Sequence, residues 1–173
     1  MAIDPWLRAP LPNIIDELQP VAAMLLGAKE DIVESLATLT HDAIWDKSLG
    51  AATVGFHVIH LAYSTERLLS YARGEELTEE QWADLKDERS ANETHPTANY
   101  LLDKLERSVS AAITQLEKTS RDTLALPRTI GRKKIPSNTR QIIEHAGEHA
   151  ARHAGQVVTT VKVLHHLLKG RSL

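Results

Sequence analysis

The sequence predicts an all-α fold: a four-helix bundle with long connections, built as one domain over residues 1–173. Three observations predict it. Long segments repeat their apolar residues every third or fourth position, the period of a helix with one buried face. Capping residues and glycines bracket those segments. The stretches between them are polar and broken by Pro and Gly.

The elements follow in order. The first dozen residues carry three prolines, Pro5, Pro10 and Pro12, and read as a surface wrap. A first long helix spans Gln19 to Leu39, with Pro20 suited to its first turn. Val21, Met24, Leu25, Ala28, Ile32, Leu36 and Leu39 supply its apolar stripe. "THDAIWDKSLGA" is a loop or short turn. Thr53 caps a second long helix, Val54 to Arg73, which Gly74 stops. The acidic stretch after it is mostly connective and solvated, with a Thr78–Gln81 capping box opening a short helix at 79–86. Thr97 caps a third long helix, Ala98 to Lys118. "TLALPRTIGRKKIPS" reads as a small extended hairpin. Ser137 or Asn138 caps a fourth long helix that ends near Lys169, before Gly170.

Composition narrows the function classes. Hydrophobic residues make up 42% and charged residues 25%, so the chain can bury an ordinary core. With one Phe, three Tyr and three Trp, that core is mainly aliphatic. The chain has no cysteine, which excludes disulfides, a thiolate metal site and a cysteine nucleophile. Net charge is −3, so no nucleic-acid partner and no anionic-membrane surface is expected. The N-terminus lacks the pattern of a signal peptide and no run approaches a membrane span, so a cytoplasmic protein is expected.

Chemistry concentrates in "EHAGEHAARHAGQ", residues 144–156. His145, His149 and His153 recur every fourth residue and therefore stack along one side of the fourth helix. On a helical wheel they share that side with Ile142, Gln156, Thr160, Val163 and Leu167, opposite Glu144, Glu148, Lys162, His166 and Lys169. They are expected to point inward. Each inward imidazole brings polar nitrogens that need partners, at about 1–3 kcal/mol for each left unsatisfied. A shared metal ion satisfies several at once, and histidines at i and i+4 reach one ion. A third ligand comes from the second helix, where His57 and His60 both lie on the flank of the apolar stripe, His57 nearer its centre. Nitrogen ligands suit zinc, nickel, iron or copper rather than calcium or magnesium; spacing does not choose among the four, and a divalent transition ion, zinc or nickel first, is the expectation. Three protein ligands leave coordination positions open, as catalysis requires.

"VGFHVIHLAYSTERLL" in the second helix and "HAGEHAARHAGQ" in the fourth resemble the DinB/YfiT-like family of metal-binding four-helix bundles. "HLA" begins at His60, and "HAARHAGQ" runs from His149 to Gln156. The resemblance implies His60, His149 and His153 as the metal ligands. It leaves His57 as pocket lining and a proton-transfer candidate, ahead of Tyr63 and Tyr71. His145 is then a residue orienting a ligand ring, or a hydrogen-bonded core residue, and Gln156 a brace for the site. The Arg usual before the family's glycine is Ala154 here. Gly147 and Gly155 each cost about 1 kcal/mol of helix propensity against Ala, acceptable where another group must come close.

What the resemblance implies about function is a divalent-metal-dependent enzyme, a small-thiol S-transferase or a hydrolase. Its partners would be a small substrate and a low-molecular-weight thiol. The alternative is a non-catalytic metal-binding or stress-response protein. Helical surfaces pair readily, so a homodimer is expected. Arg128, Arg132, Lys133, Lys134 and Arg140 read as a solvated basic segment able to attract an acidic ligand.

Overall fold

A computed structural model describes the backbone of residues 3–170 and the side chains of residues 3–167. Most of it is helical. Short 3-10 turns at Pro5–Leu7 and Asp16–Leu18 lead into α1 (Gln19–Leu36), then α2 (His41–Ile44) and α3 (Val54–Arg73). These are followed by α4 (Glu79–Thr94), α5 (Ala98–Lys118), the strands β1 (Pro127–Ile130) and β2 (Ile135–Asn138), and α6 (Thr139–Gly170). α3 packs on α4, α5 and α6, and α1 packs on α5 and α6. The small sheet is an antiparallel hairpin pairing Pro127 with Asn138 and Ile130 with Ile135. The expected extended hairpin therefore forms.

Local chemistry accounts for the boundaries. Thr53, Thr78 and Thr97 each accept a hydrogen bond from the backbone N–H three residues on, which satisfies an orphan donor of the first turn. The Thr78–Gln81 capping box is complete in both directions. Gly74 stops α3 in the left-handed region at φ 82°, where a Cβ is disfavoured. α1 ends at Leu36 rather than Leu39. There the chain tightens into bonds from Thr38 N–H to Ser35 O and from Leu39 N–H to Leu36 O, and Thr40 then caps α2. α4 runs to Thr94, well past residue 86. Its buried face is Asp84, Glu88 and Ala91, two of them charged, so an apolar stripe does not mark it.

The core is mostly aliphatic, with Trp45 and Tyr63 as its large aromatic members. α3 is buried on several sides because it meets three helices. Two glycines admit close packing. The Trp45 ring lies over Gly55, where an added Cβ would come within 2.5 Å of it. α1 closes on α6 at Gly147, where a Cβ would meet Val21 Cγ1 at 3.1 Å. Gly155 has open space around it, so close approach does not explain that glycine.

Candidate metal centre

α6 buries Ile142, Ile143, Ala146, Ala150, Ala154, Val157, Val161 and Leu164. The histidines flank this seam rather than occupy its middle. Residues four apart advance by about 40° around a helix of 3.6 residues per turn. His153 therefore lies nearest the seam, His149 further out, and His145 is carried into solvent. His145 has a side chain 47% exposed, and its Nδ1 lies 3.3 Å from Glu148. The inward expectation holds for His149 and His153, both part-buried, and is corrected for His145. Gln156, Val163 and Leu167 are exposed for the same reason, so Gln156 braces nothing in the interior.

α3 brings His57 and His60 to this flank one turn apart. Ligand atoms of His60, His149 and His153 all lie within 4.8 Å of one another. The His60 and His149 Nε2 atoms are 3.3 Å apart. The His153 ring centroid lies 4.6 Å from that of His60 and 4.5 Å from that of His149. Two helices remote in sequence thus converge on one small volume.

The Nδ1 atom of each ring is already engaged. His60 Nδ1 is 2.8 Å from Glu88 Oε1 on α4, and Glu88 Oε2 accepts from Arg67 Nη2 at 2.8 Å. His149 Nδ1 is 3.3 Å from Ser64 Oγ, which itself donates to Leu61 O at 3.2 Å. His153 Nδ1 is 3.0 Å from His57 Nδ1. Because the Ser64 proton points to Leu61, Ser64 Oγ can accept from a His149 Nδ1–H. An ionised Glu88 likewise needs the proton on His60 Nδ1. Both rings then carry a lone pair on Nε2, the form that ligates a metal. The donor set fits a divalent transition ion. Sequence reading does not single out Glu88, which lies in an acidic stretch with the composition of a solvated surface. Ser64 stands one turn after His60, and that spacing was the signal available.

Electrostatics favour neutral imidazoles. Burial, with the proximity of His60 and His145 next, lowers the His149 pKa to about 4. Burial and the adjacent His149 lower that of His153 to about 3. Burial also lowers His57, with a smaller contribution from His60. Glu88 is pushed up by burial, but the His60 hydrogen bond and the Arg67 charge outweigh this and hold it below its ordinary value. The carboxylate therefore stays ionised.

The remaining candidates lie elsewhere. The Tyr63 hydroxyl is 3.0 Å from that of Tyr100, and burial followed by that bond raises its pKa. It makes no hydrogen bond to the histidines. Tyr71 lines a different cleft of about 540 Å³ with Trp82, Arg128, Arg132 and Lys134, near the hairpin. The basic segment is largely committed: Arg128 donates to Ala72 O, Lys134 pairs with Glu76, Arg140 with Glu144, and Arg132 stacks over Trp82.

The fold has solved counterparts. A conserved protein from Enterococcus faecalis superposes with a TM-score of 0.67 at 19% identity, covering 85% of this chain and 96% of its own. The colibactin self-resistance protein ClbS, solved in complex with a dsDNA, gives a TM-score of 0.59 at 14% identity, covering 87% of this chain and 96% of its own. The ClbS complex overturns the expectation that nucleic acid is excluded. Net charge averages over a whole surface, and a protein of this fold engages a DNA duplex. Among the described residues no helix is long and apolar enough to cross a membrane. Comparison with curated proteins gives no match. The DinB superfamily pattern matches residues 13–157, which include both histidine-bearing helical stretches, and the chain belongs to the DinB superfamily.

Proposed function

We propose that this protein binds a divalent transition ion, zinc or nickel, through His60, His149 and His153, and uses it on a small thiol or a hydrolysable substrate. The observation that carries the reading is the arrangement of the rings. Their ligand atoms cluster within 4.8 Å, while Glu88, Ser64 and His57 engage the Nδ1 atoms. Three neutral nitrogen ligands leave positions for a further ligand. An ion of this kind, when bound, lowers the pKa of a coordinated thiol or water and yields a nucleophile near neutral pH. A chain without cysteine would do thiol chemistry only with a thiol from outside. Its own residues would orient the ligands, and the part-exposed His60, 22% open at its side chain, leaves the centre reachable from solvent. His57 has its Nδ1 committed to His153, so we assign it to ring positioning rather than proton transfer.

Elemental analysis of untagged protein tests the reading. About one equivalent of metal, lost in His149→Ala, is the expected result. Metal retained in that variant rejects the ligand set. Transfer from a thiol to an electrophile, measured on the metal-loaded protein, then separates an enzyme from a metal-storage protein.

A second reading, contact with duplex DNA, rests on the ClbS complex alone. The hairpin cations are mostly paired within the chain, which favours the metal reading. A gel-shift titration at low and high salt checks it, since phosphate contacts weaken steeply with salt.

A further inference from the structure

We propose that Glu88 is a positioning residue for the metal centre: it holds the proton of His60 on Nδ1, and through that bond couples the seating of α4 to metal occupancy. The inference rests on the metal reading above.

α4 is seated by polar contacts almost throughout. Its buried residues are Asp84, Glu88 and Ala91, of which only Ala91 is apolar. Gln81 Nε2 donates to Ser70 Oγ at 2.8 Å near the start of the helix. Lys104 lies 3.7 Å from Asp84. Thr53 Oγ1 donates to Asn92 Oδ1 at 2.8 Å near its end. Between these anchors sits Glu88, with a side chain 9% exposed and both oxygens occupied. Arg67 fixes Oε2 and compensates the buried charge, so Oε1 is aimed at a single target, His60 Nδ1.

The consequence is directional. An imidazole whose Nδ1–H is held by a carboxylate keeps its Nε2 lone pair free and its ring orientation fixed, which strengthens it as a ligand. An ion on Nε2 polarises the ring and strengthens the Nδ1–H donation to Glu88. That bond spans α3 and α4, so a filled centre holds α4 down. An empty centre leaves α4 on its outer anchors and the ordinary His60–Glu88 bond. Because the helix has little apolar area buried, it is seated by its polar contacts, and the His60–Glu88 bond is one of them.

Zinc affinity by chelator competition and amide exchange over residues 79–94 test the proposal together. Wild type, Glu88→Ala, Glu88→Gln and Asp84→Asn are compared. Glu88→Ala is expected to weaken zinc about 10–100-fold. Glu88→Gln, whose amide oxygen still accepts from Nδ1–H, recovers part of that loss. Asp84→Asn leaves zinc affinity unchanged, although it removes the charge that pairs with Lys104, another anchor of the same helix. In wild type, zinc slows exchange across α4, and in Glu88→Ala it does not. Ring ¹⁵N shifts of His60 report the Nδ1–H form in wild type and a mixture in Glu88→Ala. Equal zinc affinity in wild type and Glu88→Ala overturns the proposal and leaves the ligand set standing. An equal loss in Asp84→Asn overturns it too, because general seating of α4 would then be the cause. Wild type that takes up no zinc overturns the metal reading itself.

Discussion

His57 Nδ1 and His153 Nδ1 lie 3.0 Å apart, a hydrogen bond between two imidazoles that join α3 to α6. Only one of the two nitrogens can carry the shared proton. If His153 ligates through Nε2, its Nδ1–H donates and His57 accepts. His57 then fixes the His153 ring as Glu88 fixes that of His60.

Replacing His57 with Phe removes that acceptor while keeping a ring in the space. Metal stoichiometry is expected to stay the same and affinity to fall about 10–100-fold, as for loss of other groups that orient a ligand. Chelator competition measures this. A variant that binds no metal at all would make His57 a ligand instead, and unchanged affinity would remove its positioning role.

The lowered histidines also predict an acid limb of stability for the metal-free protein. His149 and His153 titrate at about 4 and about 3 in the folded state, against 6.5 ordinarily. Between those values the unfolded chain binds more protons, so stability is complete above the ordinary value and falls as pH drops below it. Chelator-treated protein should therefore melt at lower temperature as pH falls from about 7 to about 5, above the range where most carboxylates titrate. The double variant His149→Leu, His153→Leu should show a flatter dependence over that range. Thermal melts across pH check it, and equal slopes in the two proteins would contradict the burial of these rings.

Much of the helical order was legible in the residues. α3 and α5 begin and end where Thr53, Gly74, Thr97 and Lys118 indicate, because caps are local chemistry and need no tertiary knowledge. The sequence marks α4 as a shorter helix because its buried face is acidic, and a charged stripe looks solvated until its partners on α3 and α5 are known. The same blindness hid Glu88. The helix wheel placed all three α6 histidines inward. The apolar seam of small alanines is what fixes the true inward direction, and it leaves His145 outside. Spacing alone sets His57 nearer the centre of the stripe than His60, and both do reach the α6 histidines. Only the resemblance of "HLA" favoured His60. The Ser64 and His57 contacts depend on how α3 and α6 are registered, which no local pattern encodes.

Two glycines give opposite expectations, and the difference is purely steric. Gly55 lies under Trp45, which is 4% exposed, donates from Nε1 to Pro96 O at 3.1 Å and stacks on His95 at 5.3 Å. A Cβ at residue 55 would come within 2.5 Å of a ring that those contacts hold in place. Gly55→Ala is therefore expected to destabilise by about 1–3 kcal/mol, as overpacking of a filled core does. Gly155 sits in the interior of α6, exposed, with no neighbouring atom within 4 Å of an added Cβ. There Ala reduces the freedom of the unfolded chain, and Gly155→Ala should stabilise by about 0.5–1 kcal/mol. Urea unfolding of the two single variants measures both signs in one experiment. A neutral Gly55→Ala would mean that the Trp45 ring can swing away from α3. A destabilising Gly155→Ala would mean that the exposed flank of α6 beside His153 is covered in solution.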